Sequence, residues 1–362
     1  MTSATADRAE ALAERLFGAT LGALELFSVY LGSELGLYRA LAEHGPLTPG
    51  GLADRARIVP RYAREWLEQQ AVAGLLDVER AEAPAADRRY AIAPDQARAL
   101  LDADDAAHVA PFAHMLAGIG GVLPRVAEAY RSGGGVPYSA YGREFRHGQG
   151  HINRPAFTHE LAGDWLAAMP DVVARLEGAR RPRVADVGCG QGFSTIAIAS
   201  AFLTARVDGL DLDAASVADA RRHAADAGLD GRVRFVVADA TEVAAHGRYD
   251  LVLILEALHD MARPGDALRA ARAALAPGGS VLVVDERVAD AFAAPGGDVE
   301  RMMYGWSVTH CLPTQMAEQP SAALGTVMRA GTVRALAADA GFARVEVLPV
   351  DNDFFRLYRL DR

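Results

Sequence analysis

Val184-Ala-Asp-Val-Gly-Cys-Gly-Gln-Gly192 decides the fold. An apolar strand runs into three glycines at alternate positions, and Phe193 to Phe202 follows with the composition of a helix. Strand, glycine turn and helix make a unit whose backbone can approach a ligand closely, because glycine has no Cβ to hold it off. Asp186 precedes the glycines at D-x-G-x-G-x-G spacing. The next strand, Ala205 to Asp211, ends in an acid about twenty residues past the turn, where nucleotide-binding folds place a ribose-binding carboxylate. No G-K-[ST] follows, which excludes a P-loop. The third glycine also comes one residue too early for the nicotinamide pattern G-x-G-x-x-G.

Further landmarks follow in order. Asp239-Ala240 ends a third strand, Arg232 to Ala238. Tyr249 to Leu255 reads as a fourth, and Pro277-Gly-Gly279 turns into a fifth, Val281 to Val284. Together with the glycine turn they resemble class I methyltransferases that use S-adenosylmethionine (SAM), over about the second half of the chain. The resemblance implies an α/β, Rossmann-like domain with the cofactor over Gly188, Gly190 and Gly192. It places Asp211 on the ribose and Asp239 near the adenine, with Asp186, Leu212, Ala240 and Glu256 as further cofactor contacts.

Composition narrows the function. The net charge of −10 argues against a dedicated nucleic-acid binder. Two cysteines, Cys189 and Cys311, allow no disulfide framework and fit a reducing compartment. All 37 basic residues are arginine, so no lysine is available for a Schiff base, and pyridoxal-phosphate chemistry is excluded. Met1 to Glu14 is polar and has no signal-peptide core, and no apolar run reaches membrane-span length. The expectation is a cytoplasmic protein with no membrane partner.

The N-terminal part reads as helical. Leu35 to Leu41 has helical apolar spacing and stops at Gly45-Pro46. Thr48 is placed to cap a short helix, and Pro60 to open a third that runs through Trp66. Leu76-Asp-Val and Arg89-Tyr-Ala-Ile flank a charged loop as a two-stranded wing. This is winged-helix order. Residues 1–105 hold 11 Arg against 17 Asp plus Glu, too little positive charge to neutralise phosphates. The layout resembles small-molecule O-methyltransferases and related bacterial enzymes, which implies a winged-helix domain that dimerises. The expected division is a winged-helix dimerisation domain over 1–105, a helical linker and substrate cap over 106–165, and the SAM-binding domain over 166–362.

Glu256-Ala-Leu-His259-Asp260 follows the fourth strand, at the sheet edge where open α/β folds bind ligands. In the resembling O-methyltransferases a His-Asp pair at this place supplies the general base, which maps onto His259 and Asp260. Their orienting carboxylate maps onto either Asp285 or Glu286. A second arrangement uses the same histidine. His310 lies in the insert before the last helix, and His259, Asp260 and His310 would form the two-imidazole, one-carboxylate set that binds iron or another divalent metal. Some resembling bacterial enzymes use such a metal to C-methylate α-keto acids, whose carboxylate would want an arginine, Arg143 or else Arg146. Cys189 reads as a small residue against the cofactor, and Cys311 as packing. Three functions stand: O-methylation of a small-molecule acceptor, metal-assisted C-methylation, and a SAM-responsive winged-helix regulator.

Overall fold

A computed structural model describes residues 3–178 and 181–362. Met1 and Thr2, at the head of the polar leader, lie outside the described residues. The chain forms two compact units, residues 1–120 with 143–155 and residues 121–142 with 156–362.

The first unit begins with α1 (Ser3–Glu34), followed by α2 (Leu37–His44), α3 (Pro49–Ala56) and α4 (Pro60–Val72). The wing pairs β1 (Asp77–Glu79) antiparallel with β2 (Arg89–Ala91), and α5 (Pro94–Leu101) follows. Thr48 accepts the Gly51 N–H and so caps α3, as its position predicts. Val29, Tyr38, Leu41, Leu52 and Leu67 lie in one core. Helix α1 extends the sequence reading at one point and corrects it at another. The polar N-terminus belongs to a 32-residue helix, and its stretch Asp7–Glu34 is long and apolar enough to cross a membrane by length and composition. Glu25 and scattered small or polar residues interrupt the apolar stretch from Leu16 to Gly32, so no unbroken run reveals it.

Helices α6 (Pro111–Ser132) and α7 (Gly142–His159) each have residues in both units. The second unit continues with α8 (Pro170–Gly178), β3 (Arg183–Val187), α9 (Phe193–Ala201), β4 (Arg206–Asp211), α10 (Ala214–Asp226) and β5 (Val233–Val237). Then come α11 (Val243–His246), β6 (Tyr249–Leu255), α12 (Pro264–Ala274), β7 (Leu275–Glu286), α13 (Asp298–Trp306), α14 (Leu312–Met316), α15 (Ala330–Asp339), β8 (Arg344–Val347) and β9 (Phe355–Asp361). The sheet order is β5-β4-β3-β6-β7-β9-β8. Strands β3 to β7 run parallel, and β9 is antiparallel to both its neighbours. Alternate strand residues feed two cores. Leu251, Leu253, Leu282 and Val284 pack on one face, and Val252, Ile254, Val281 and Val283 on the other. The chain reverses direction across the sheet between β3 and β6, and a ligand crevice forms at such a switch point.

Candidate active site

The glycine turn leaves β3 at this crevice. Gly188 has φ +77°, and a Cβ there would lie 2.5 Å from the Cβ of Ala257. The turn therefore packs against the loop that carries His259, two residues further on. Gly190, at φ +50°, faces open space with no atom within 4 Å of a built Cβ. Its N–H donates to Asp211 Oδ2 at 2.8 Å, and Asp213 N–H donates to Oδ1 at 2.8 Å. These bonds hold the carboxylate at the strand end, while burial raises its pKa to about 6. Asp186 Oδ2 accepts the hydroxyls of Ser194 and Thr195, each at 2.6 Å, and burial raises this carboxyl too. Its Oδ1 is buried without a partner. Asp239 accepts from the amide and hydroxyl of Thr241, while Ala240 is half-buried and Leu212 exposed. An open glycine backbone beside an unsatisfied buried oxygen and a fixed strand-end carboxylate fits a nucleoside cofactor.

His259 is buried in a single helical turn, Leu258–Asp260, just past β6. Its Nδ1 lies 2.9 Å from Asp285 Oδ1, and its Nε2 lies 3.5 Å from Asp260 Oδ1. The contact resolves the choice between Asp285 and Glu286 in favour of Asp285 as the carboxylate beside the ring. Burial alone would lower the imidazole pKa, but the charges of Asp285 and Asp260 outweigh it and hold it well above the ordinary histidine range.

Across from it, Ser307–Cys311 forms a π-helical turn between α13 and α14. The wider turn leaves carbonyls for outside donors. Tyr130 donates to Val308 O at 3.0 Å and Tyr141 to Thr309 O at 2.9 Å, while Val136 N–H reaches Pro313 O at 2.9 Å. The rings of Tyr138 and Tyr141 pack edge-on against His310. Burial lowers the His310 pKa to about 4, so its ring is neutral, and its Nδ1 lies 3.4 Å from Cys311 Sγ. Cys311 stays a thiol, since burial pushes it up to about 12.

Among the described residues, the potential ligand atoms that converge with His259 and Asp260 within 4.8 Å belong to Cys311. His310 is not part of that set. Arg143 lies in the other unit, with Nη2 2.7 and 2.9 Å from the two oxygens of Glu34 and Nε 3.1 Å from Glu144. Arg146 is half-buried in the same unit. Sequence reading missed Gln315. This buried side chain donates to the carbonyls of His259 and Met261 and accepts the Gly325 N–H at 2.9 Å. It ties the histidine turn to the insert, and no local pattern announces it.

Two regions of the chain match known families. Residues 184–279 match the family described as methyltransferase domain, and residues 19–101 match the Rv2258c-like winged HTH domain. Residues 184–279 form a methyltransferase domain. The chain is 34% identical over 100 residues to a ubiquinone biosynthesis O-methyltransferase of Stutzerimonas stutzeri, covering 28% of this chain and 42% of that protein. The match thus spans less than half the length of that relative. An O-methyltransferase family protein of Burkholderia thailandensis superposes with a TM-score of 0.66 at 17% identity, covering 100% of this chain and 98% of that one. Human N-acetylserotonin methyltransferase, solved with SAM, gives 0.67 at 19% identity, covering 96% and 97%. These likenesses establish the fold: a winged-helix N-terminal region and a Rossmann-like methyltransferase domain.

Proposed function

We propose that the chain transfers the methyl group of SAM to a small organic acceptor, with His259 as the general base for an acceptor hydroxyl. The observation that carries this reading is the Nδ1 contact of His259 with buried Asp285, on a turn packed against the glycine backbone. SAM supplies a methyl already activated on a sulfonium. The residues of the chain then align, dry and deprotonate. Asp285 holds the ring so that Nε2 is the working nitrogen. As Nε2 takes the hydroxyl proton, the oxygen bonds the methyl carbon and the carbon–sulfur bond breaks, leaving S-adenosylhomocysteine (SAH). Before turnover His259 must lose the proton that Asp285 and Asp260 favour, so activity rises with pH. The test is transfer of labelled methyl from SAM to a panel of phenols and other hydroxylated small molecules. A His259→Asn chain that works at the wild-type rate sinks the reading.

The proposal includes a cytoplasmic homodimer formed through the N-terminal unit. Phe17, Leu21, Leu24, Leu31 and Leu35 are exposed at heptad spacing on and just past α1, a seam that a second copy would bury.

A second reading keeps the metal. A nitrogen, a carboxylate and a sulfur within 4.8 Å suit zinc or iron, and such an ion would supply Lewis acidity to enolise an α-keto acid. His259, Asp260 and Cys311 would hold it, in place of the His310 set expected from sequence. Metal content of chain purified without chelator or nickel, with Cys311→Ser beside it, separates the readings. About one equivalent lost in the variant favours the metal. None in either protein favours the base.

A further inference from the structure

The carboxyl ends of β6 and β7 carry a feature that base catalysis does not use. Glu256 follows β6 and Glu286 ends β7, neighbouring strands in the sheet. Glu256 N–H donates to Val284 O at 2.8 Å, which sets the residue beside the end of β7. Glu286 is buried, and although Glu256 is only half-buried as a residue, its Oε1 is sealed from solvent. Glu256 Oε1 and Glu286 Oε2 are both buried without a hydrogen-bond partner, and so is Asp285 Oδ2. Burial raises both glutamates, helped by the charge of Glu286 at Glu256 and by that of Asp285 at Glu286, which reaches about 7, so the pair can hold one proton near neutrality. The charges that act most on the pair are His259, Asp285 and Asp260.

Two carboxylates thus touch the imidazolium, Asp285 at 2.9 Å and Asp260 at 3.5 Å, and the two glutamates feel its charge. Each unpartnered oxygen can only accept, or donate a single shared proton. A buried wall of acceptors costs free energy until donors or positive charge arrive. Such a wall repels an anionic group and favours a cation.

We infer that Glu256 and Glu286 form a seat for a cationic group beside His259, one that recognises positive charge on a ligand of the methyl-transfer site. The inference rests on the proposed methyltransferase reading. Two sources offer that chemistry: the sulfonium of SAM, and an ammonium on a basic acceptor. Seating either one strengthens the ionised form of the pair, so the shared proton leaves to solvent.

The experiment is calorimetric binding of SAM, sinefungin (an amine at the sulfonium position) and neutral SAH to wild type, Glu256→Gln and Glu286→Gln, each in two buffers of different ionisation enthalpy. A parallel series binds 4-(2-aminoethyl)phenol and neutral 4-ethylphenol to the SAH complex. If the sulfonium is seated, SAM and sinefungin weaken about tenfold in the glutamine variants while SAH is unchanged, as expected for loss of one charge-assisted bond. The proton released with SAM but not with SAH also disappears. His259→Gln, which lacks the imidazolium, keeps that release and so assigns it to the pair. If an acceptor ammonium is seated, the amine binds about tenfold better than 4-ethylphenol and loses the advantage in the variants. Equal behaviour of charged and neutral ligands in all chains overturns the inference while leaving cofactor binding intact. Absence of SAM and SAH binding by wild type overturns the methyltransferase reading instead, and the phenol pair, run on the bare chain, then decides the seat alone.

Discussion

The glycine turn and the insert around His310 face the same crevice and are built by opposite means. On the cofactor side, two backbone amides and two hydroxyls of the turn and its flanks hold the carboxylates. Gly190 N–H and Asp213 N–H fix Asp211, and Ser194 and Thr195 hold Asp186. On the histidine side, side chains from distant stretches meet: His259 with Asp285, and Cys311 near both histidines. The first region is a local sequence signature. The second is assembled by the fold, and most of the unpartnered buried carboxylate oxygens among the described residues gather there.

The contrast predicts that damage on one side spares the other. The largest effect belongs to His259→Gln. Methyl transfer should fall by about a hundredfold or more, the worth of a positioned base, while calorimetric SAH affinity stays within about twofold. A matching loss of SAH affinity would break the division between the two halves. Next is Gly188→Ala. The new Cβ meets Ala257 in a left-handed backbone, at a cost of about 1–3 kcal/mol in unfolding free energy, and SAH binding should weaken with it. Asp285→Asn should be smaller at its own optimum but diagnostic in pH. Asp285 raises the His259 pKa, so its loss lets that pKa fall, and the rising limb of the rate profile moves to lower pH. A limb that stays in place would show that another group titrates. The smallest catalytic effect is expected from Leu21→Asp with Leu24→Asp. On the proposed seam, light scattering should report a dimer for the wild type and a monomer for this variant, with the fold retained by circular dichroism.

The same contrast explains what the sequence disclosed. The strands follow from runs such as Tyr249 to Leu255, and the glycine turn from its spacing, because both are contiguous. Asp285 and Glu286 differ by one position, so spacing from the motif leaves them open. Strand parity separates them: Asp285 continues the face of Val281 and Val283, which packs with Ala257 and Leu258 beneath the histidine turn. Cys311 and Gln315 meet His259 across about fifty residues of chain, and their neighbours carry no sign of it. Helix α1 was hidden differently. Its stretch from Leu16 to Gly32 carries one charge, Glu25, and is interspersed with Gly, Ala, Ser and Thr, so a search for unbroken strongly apolar runs passes over it.

The π-helical turn at Ser307–Cys311 also constrains how the acceptor side can change over time. One residue is worth roughly 100° of rotation about a helix axis. Removing any residue within 307–311 would let the turn tighten into ordinary helix, and every side chain after it would swing by that angle. Cys311 and Gln315 would leave the crevice together, and the tyrosine anchors would meet carbonyls already engaged. The crevice can accept new side chains one at a time, but its wall has a fixed phase, and a single lost codon would erase it.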